Sequence, residues 1–383
     1  MTDSHELSTA EYTRYSRHII LPEVGLEGQQ RLKRSSALVV GAGGLGSPVI
    51  LYLAAAGVGR IGIVDFDAVD VSNLQRQIVH SEASVGTSKL RSAEHRVHEL
   101  NPFIQLDLYE EKLVADNARR IFEPYEVIID GTDNFTTRYL VNDACVLMSK
   151  PNVYGSIYRF EGQASVFSAA DGPCYRCLFP EPPPPEAVPN CAEGGVLGVL
   201  AGVIGTIQAT EALKLLLGIG SSLAGRLLLY DALEMRFDTL IVRRSDDCPV
   251  CGKNAVIKTL QESAVSCASL FPQEASGAAR EITPEDLHHR LMGEEPLLLL
   301  DVRNPEEYEL CHLNGSTLIP LRELADRLGE LDPARETVVY CKSGRRSKKA
   351  AELLSAHGFT NVRNLTGGIL AWAARIDSSM PAY

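Results

Sequence analysis

An excess of positive charge is what this sequence most plainly lacks. Its 383 residues carry a formal net charge of −12 at pH 7, with a pI near 5.3. A chain of that sign repels phosphate backbones and anionic bilayers, so no nucleic acid and no membrane is expected as its main partner. An apolar leader is also missing: residues 1–8 are polar, and no secretory segment is expected. The one long apolar stretch, residues 196–220, carries Gln208, Glu211 and Lys214 at helical spacing. A bilayer-spanning helix tolerates these poorly, so a buried or subunit-interface helix is expected. No internal repeat occurs. The nine cysteines are an odd number. They read as thiols, metal ligands or nucleophiles in a reducing, cytoplasmic compartment rather than as a disulfide frame.

What is there suits two soluble domains. The chain is too long for one ordinary domain, and its 45% hydrophobic and 22% charged residues are near globular averages. The apolar run 37–40 meets a glycine cluster at 41–46, a helical pattern follows to Ala56, and a second strand spans 60–65. A helix over 89–100 and strands near 104–109 and 126–130 continue the alternation, which means a Rossmann-like, doubly wound and mostly parallel sheet. Segments 163–169 and 226–236 read as later, partly antiparallel additions. The proline cluster 182–185 forces an extended surface loop. From about 245 to 280 the composition has the signature of a linker, and a second, smaller α/β pattern begins after it. The expected division is a first domain over 8–245, a linker with a cysteine pair over 246–280, and a second domain over 281–383.

Gly41, Gly43 and Gly46, between a strand and a helix, let backbone approach a phosphate at the helix N-terminus. Asp65, about twenty residues on, is placed to accept from a ribose hydroxyl. Alone, this pattern fits an NAD-dependent dehydrogenase as readily as an ATP user. Asn73, Arg76 and Lys89 change the balance. Hydride transfer has little use for two cations beside the phosphates, whereas carboxylate attack on an α-phosphate needs its growing charge neutralised. Asp130-Gly-Thr-Asp133-Asn134 lies at the carboxyl end of a central strand, and Asp133 is a candidate magnesium ligand there.

With Arg14-Tyr-Ser-Arg17-His-Ile-Ile-Leu21, Asp65-Phe-Asp67, Asn73-Leu-Gln-Arg76-Gln and Thr132-Asp133-Asn134, residues 8 to 250 resemble the MoeB/ThiF branch of the ubiquitin-activating enzyme family. The resemblance implies that Gly44, Asp65, Asn73, Arg76 and Lys89 hold ATP and that Asp133 holds Mg2+. It also implies a homodimer in which Arg17 reaches the neighbouring subunit's site.

Cys174-Tyr-Arg-Cys177 and Cys248-Pro-Val-Cys251 are two C-x-x-C pairs. If the fold joins them, they supply the four thiolates of a closed, structural Zn2+ site; an accidental pair or a redox motif is the alternative. The family resemblance implies zinc too. Cys191, on a glycine-flanked loop, resembles the family's loop cysteine, which bonds covalently to the carrier or the delivered sulfur. Cys145, Cys267 and Cys311 read as packing or spectator thiols.

Cys341-Lys342-Ser343-Gly344-Arg345-Arg346 runs from a strand into a helix, aiming backbone N–H groups, a helix N-terminus and cations at one sulfur. All of these favour a thiolate. A cysteine phosphatase loop is longer between its cysteine and arginine, so this tighter ring suits sulfur better than phosphate. With Asp301-Val-Arg303, Glu306, Glu307, His312 and Gly367-Gly-Ile-Leu-Ala-Trp372, residues 280 to 380 resemble a rhodanese domain whose persulfide would sit on Cys341. The local sequence Cys311-His-Leu-Asn-Gly-Ser316 departs from the usual rhodanese Gly-His-Ile-Pro-Gly-Ala.

The combination resembles the MoeZ-type adenylyltransferase/sulfurtransferases. It implies ATP-dependent adenylation of a small ubiquitin-like sulfur-carrier protein ending in Gly-Gly. The sulfur would come from an upstream donor, a cysteine desulfurase or thiosulfate, by way of the Cys341 persulfide. Such carriers serve molybdopterin, thiamine, cysteine, tRNA-thiolation and secondary-metabolite routes. A C-terminal domain that only docks a separate sulfur donor is the alternative.

Overall fold

The computed structural model describes residues 6–168, 172–182, 195–261, 280–293 and 296–381. The chain divides into two compact units, Met1–Leu270 and Phe271–Tyr383.

The first unit is built on an eight-stranded sheet in the order β3-β2-β1-β4-β5-β6-β7-β8. Its strands are β1 (Ser36–Val40), β2 (Arg60–Val64), β3 (Gln105–Tyr109), β4 (Val127–Asp130), β5 (Asn152–Tyr158), β6 (Glu161–Phe167), β7 (Arg226–Asp231) and β8 (Arg236–Ile241). The first five pair in parallel, and β5 to β8 pair antiparallel. β1 is buried along its whole length, as a strand covered on both faces must be, and its Ser-Ala-Leu-Val-Val run supplies the apolar side chains for that. Parallel register sets Val40 opposite both Val64 and Asp130. The chain therefore leaves β1, β2 and β4 at one level, around the point where strand order reverses, which is where open α/β sheets bind ligands.

Two features of the antiparallel half differ from the sequence reading. Strand β5 has no counterpart in it, and the segment 226–236 holds β7 and the turn into β8, so the antiparallel addition runs on to Ile241. The β5 sequence Asn-Val-Tyr-Gly-Ser-Ile-Tyr mixes polar and apolar residues because only its first half is fully buried. The apolar stretch forms the helix Val199–Leu217, which is long and apolar enough to cross a membrane by length and composition. Within this unit, however, its Gln208 is fully buried and donates to the carbonyls of Asp130 (2.7 Å) and Val153 (3.0 Å). Its Glu211 accepts from the Leu223 N–H at 2.6 Å. Both polar residues thus tie the helix to its own domain.

Composition alone reads 245–280 as one linker, but residues 245–261 pack onto the first unit. Cys248 and Val250 are buried beside Cys174, and Leu260 packs against a core cluster. Residues 262–279 lie outside the described residues.

The second unit has five parallel strands in the order β11-β10-β12-β13-β9. These are β9 (Arg280–Ile282), β10 (Leu298–Asp301), β11 (Thr317–Leu318), β12 (Thr337–Tyr340) and β13 (Val362–Leu365). Apolar clusters cover its two faces, one around Leu300, Val339 and Leu354, the other around Leu299, Val338 and Trp372. Asp301 lies opposite Tyr340, so Arg303 and Cys341 follow strands that end at the same level.

Candidate functional site

In the first unit the glycine loop turns under tight steric control. A Cβ at Gly46 would overlap the carbonyl oxygen of Gly41, so the helix Gly46–Ala56 can start this close to β1 only with glycine there. Gly41 itself has φ +97°, the region that favours glycine. Asp65, just past β2, receives the Ala42 N–H on Oδ2 (2.8 Å) and the Asp67 N–H on Oδ1 (2.9 Å). The carboxylate thereby locks the glycine loop to β2, and each oxygen keeps a further lone pair for a ribose hydroxyl.

Asn73 closes a short turn, Val71–Asn73, that Asp70 caps through the Ser72 N–H. The Arg76 stem passes beside Gly44, its Cγ 3.5 Å from where a Cβ would stand, and its Nη1 donates to the Ser72 carbonyl at 3.0 Å. Lys89 opens the helix Lys89–Leu100; its nearly buried ammonium pairs with the half-exposed Asp67 at 2.9 Å. Asp133 is exposed just beyond β4. Its neighbour Asn134 accepts the Thr137 N–H at 2.9 Å and caps the helix Phe135–Leu147. Arg17 is exposed on the short helix Ser16–Ile19.

Two buried residues behind these loops have no role in the sequence reading. Asp130 ends β4 fully buried, and its Oδ1 accepts from the Thr132 N–H (3.0 Å) and hydroxyl (2.6 Å). Arg138 donates from Nη2 to the Thr132 carbonyl at 3.1 Å and stands 3.8 Å from the Asp130 carboxylate. Burial pushes the Asp130 carboxyl up, against the pull of Arg138. The pair holds the turn that presents Asp133. No local pattern announces Arg138, because its partners come from the strand end and the turn, not from its own helix.

The two cysteine pairs meet. The Sγ atoms of Cys174, Cys177, Cys248 and Cys251 all lie within 4.8 Å of one another. The separations Cys174–Cys248, Cys177–Cys251 and Cys174–Cys177 are 3.5, 3.3 and 3.9 Å. These are too long for disulfides and match the edge of a tetrahedron around a metal with bonds of about 2.3 Å, roughly 3.8 Å. The four thiols fit one metal ion with no position left open.

In the second unit Cys341 follows β12, and its sulfur accepts from the Gly344 N–H (3.2 Å) and the Ser347 hydroxyl (3.3 Å). Gly344 has φ +90°, which turns the loop back before the helix Arg345–Ala356 starts. Cys341 is only 1% exposed, so it lies at the floor of its loop. Lys342 is half-buried, while Ser343 and Arg345 are exposed around it.

The two Nη atoms of Arg346 form a bidentate pair with Glu307, each at 2.7 Å. A planar guanidinium matches a carboxylate far better than a single sulfur atom, and that geometry decides its direction. Burial opposes the charge on Glu307, yet Arg346 and the Asn304 N–H hold it below the ordinary carboxylate range. Beneath this pair, Asp301 and Arg303 form a fully buried ion pair at 2.6 Å, and Arg303 also donates to the Cys311 carbonyl at 2.7 Å. His312 stacks on Tyr308 with ring centroids 3.9 Å apart.

Of the remaining thiols, Cys145 is buried and burial pushes it well up, as suits a packing residue. Cys311 is half-buried against the Pro381 carbonyl. Cys191 and Cys267 lie outside the described residues.

Comparison with known proteins agrees with this division. Residues 15–250 match the ThiF family and residues 283–375 the rhodanese-like domain. The chain is 49% identical to the probable adenylyltransferase/sulfurtransferase MoeZ of Mycobacterium tuberculosis, over 98% of this chain and 96% of that one. It is 44% identical to the adenylyltransferase and sulfurtransferase MOCS3 of Mus musculus, over 98% and 88% of the two chains. Among solved structures, E. coli MccB with succinimide aligns at a TM-score of 0.56 and 21% identity, over 65% of this chain and 76% of that one. The complex of MccB with ATP aligns at 0.53 and 20%, over 58% and 68%. At such identity the structural likeness establishes the fold, a mixed α/β sheet of the same kind. The near full-length relatives establish more: this chain belongs to the ThiF family, carries a C-terminal rhodanese-like domain, and is an ATP-using adenylyltransferase and sulfurtransferase.

Proposed function

We propose that the protein activates the C-terminal glycine carboxylate of a small ubiquitin-like sulfur-carrier protein with ATP and converts it to a thiocarboxylate. The observation that carries this reading is the union in one chain of a ThiF-family nucleotide loop with the hydrogen-bonded sulfur of Cys341.

In the first half-reaction the carrier carboxylate attacks the α-phosphorus, an O–P bond forms, and the bond to pyrophosphate breaks. No protein nucleophile is needed, so catalysis here is positioning and charge stabilisation. Gly41, Gly43, Gly44 and Gly46 admit the phosphates, Asp65 and Asn73 hold the ribose side, and Arg76 and Lys89 face the α-phosphate. Asp133 would hold Mg2+, beside Asn134, and the cation would add positive charge at the phosphates. Arg17 would complete a neighbouring subunit's site in a homodimer. Cys174, Cys177, Cys248 and Cys251 would hold Zn2+ in a closed, structural role.

In the second half-reaction the terminal sulfur of a Cys341 persulfide attacks the acyl carbon and AMP leaves, giving an acyl disulfide. The Gly344 N–H and Ser347 hydroxyl stabilise negative charge on the Cys341 sulfur, within a loop that also carries Lys342, Ser343, Arg345 and Arg346. Release of the thiocarboxylate consumes two electrons. A thiol, Cys191 in our reading, attacks the Cys341 sulfur, and the disulfide so formed is reduced by cellular thiols in the cytoplasm. The persulfide is refilled by a cysteine desulfurase or thiosulfate.

The test separates the halves. Cys341→Ala should retain carrier-dependent ATP–pyrophosphate exchange and lose all thiocarboxylate formation, read by mass spectrometry of the carrier. Loss of exchange in that variant would refute the division of labour.

A further inference from the structure

His80 lies behind the nucleotide loops, 7% exposed, and has a place in none of the roles above. Its Nε2 is 3.0 Å from the carbonyl oxygen of Ala42, and its Nδ1 is 2.9 Å from the Ser92 hydroxyl. A carbonyl only accepts, so Nε2 carries the proton and donates to Ala42; in the neutral ring Nδ1 then accepts from Ser92. Burial, with Lys89 nearby, pushes the imidazole below its usual range, against the opposing pulls of the Ala42 carbonyl and Asp65.

The two partners belong to different parts of the proposed site. Ala42 sits inside the glycine loop, and its N–H is already taken by Asp65. The residue is thus gripped from both sides, by the β2 carboxylate at its N–H and by His80 at its carbonyl. Ser92 stands one turn beyond Lys89 on the same helix. His80 itself follows the Asn73–Gln77 segment, its own N–H bonded to the Gln77 carbonyl at 3.1 Å. The imidazole therefore links the loop that would cradle phosphate to the helix that presents Lys89, while the backbone of the same residue is tied to the segment carrying Arg76.

We infer that His80 is a positioning residue for the adenylation half-reaction, fixing the glycine loop relative to Arg76 and Lys89. The inference rests on the adenylation reading above. It predicts a particular asymmetry: loosening this strut misplaces phosphate-binding groups while leaving carrier recognition alone, because a small displacement of such groups is costly for rate.

The experiment compares His80→Phe, His80→Gln and Ser92→Ala by ATP–pyrophosphate exchange, with KM for ATP and for the carrier measured separately. His80→Phe fills the volume but leaves the Ala42 carbonyl and the Ser92 hydroxyl without their partner. We expect kcat/KM for ATP to fall roughly 10- to 100-fold, carrier KM to stay within about twofold, and thiosulfate-to-cyanide sulfur transfer by the same molecule to be unchanged. His80→Gln, whose amide can still donate to Ala42, should recover most of the loss, and Ser92→Ala should show a smaller loss of the same kind. The inference is overturned if a folded His80→Phe exchanges like wild type, if Gln rescues nothing, or if carrier KM rises in step with ATP KM. Should His80→Phe fail to fold, the Gln and Ala variants decide by the same KM split. Absence of exchange in the wild type would instead sink the adenylation reading, and ATP binding by the variants would then settle the role of His80.

Discussion

In the first unit the proposed site is assembled from segments spread between Gly41 and Asn134, whereas in the second a thiol and both donors to its sulfur lie within residues 341–347. Both stand at the carboxyl edge of a parallel sheet, where strand ends and helix N-termini coincide. The difference is in what enforces the geometry. The rhodanese-like loop is shaped by its own backbone, by the left-handed Gly344 and the helix that follows. The nucleotide site depends on register between strands and on buried ties such as Asp65 to Ala42 and Arg138 to Thr132. A local site should tolerate damage to distant packing better than an assembled one.

The largest expected effect breaks the first unit alone. Cys174→Ser removes one of four convergent thiols and should destabilise that unit by about 4 kcal/mol. The temperature of half-loss of exchange activity then falls steeply, while that for thiosulfate-to-cyanide transfer stays in place; an equal fall in both would erase the contrast between the units. Next comes Lys89→Ala, expected to lower exchange about 100-fold, equivalent to roughly 2.7 kcal/mol, with sulfur transfer untouched. Exchange rates measured with saturating ATP and carrier check it.

Within the second unit, Glu336 tests packing away from the sulfur. Arg290 is the main reason its carboxyl is held down at about 2, with Arg363 adding to the effect. Its folded pKa is depressed, so its stabilisation is complete above the unfolded value near 4.5 and is lost as pH falls from there through about 2. Glu336→Gln should cost about 2 kcal/mol at pH 7 and make acid unfolding of this unit shallower, measured by denaturant titration across that window. Glu307→Gln breaks one side of the Arg346 pair and should cost about 1 kcal/mol, since the amide still accepts one hydrogen bond. Glu330→Gln, in a surface pair with the half-buried Arg327, should leave the unfolding midpoint nearly unchanged and serves as the control.

Much of this was legible in the chain. The helix Lys89–Leu100 follows from its periodicity, and the strands around the glycine loop from short continuous apolar runs, because they are covered on both faces. The Cys341 loop could be read residue by residue, since a strand, a glycine and a helix start fix it locally. Harder to see were β5, whose mixed polar and apolar residues give no continuous apolar run, and the turn between β7 and β8, whose residues 232–235 contain no glycine or proline. His80 and Arg138 gave no signal, because a buried polar residue is recognised by its partners, and those partners lie on other elements of the fold.

By itself, then, the order of residues determined two α/β units, the loops able to approach a phosphate and a sulfur, and two cysteine pairs able to share a metal. Tertiary structure decided that those pairs meet, that Arg346 pairs with Glu307, and that His80 bridges Ala42 and Ser92. The reason is physical: backbone propensity acts over a few neighbours, whereas the direction of a buried charge or donor is set by whichever acceptor the fold brings within about 3 Å of it.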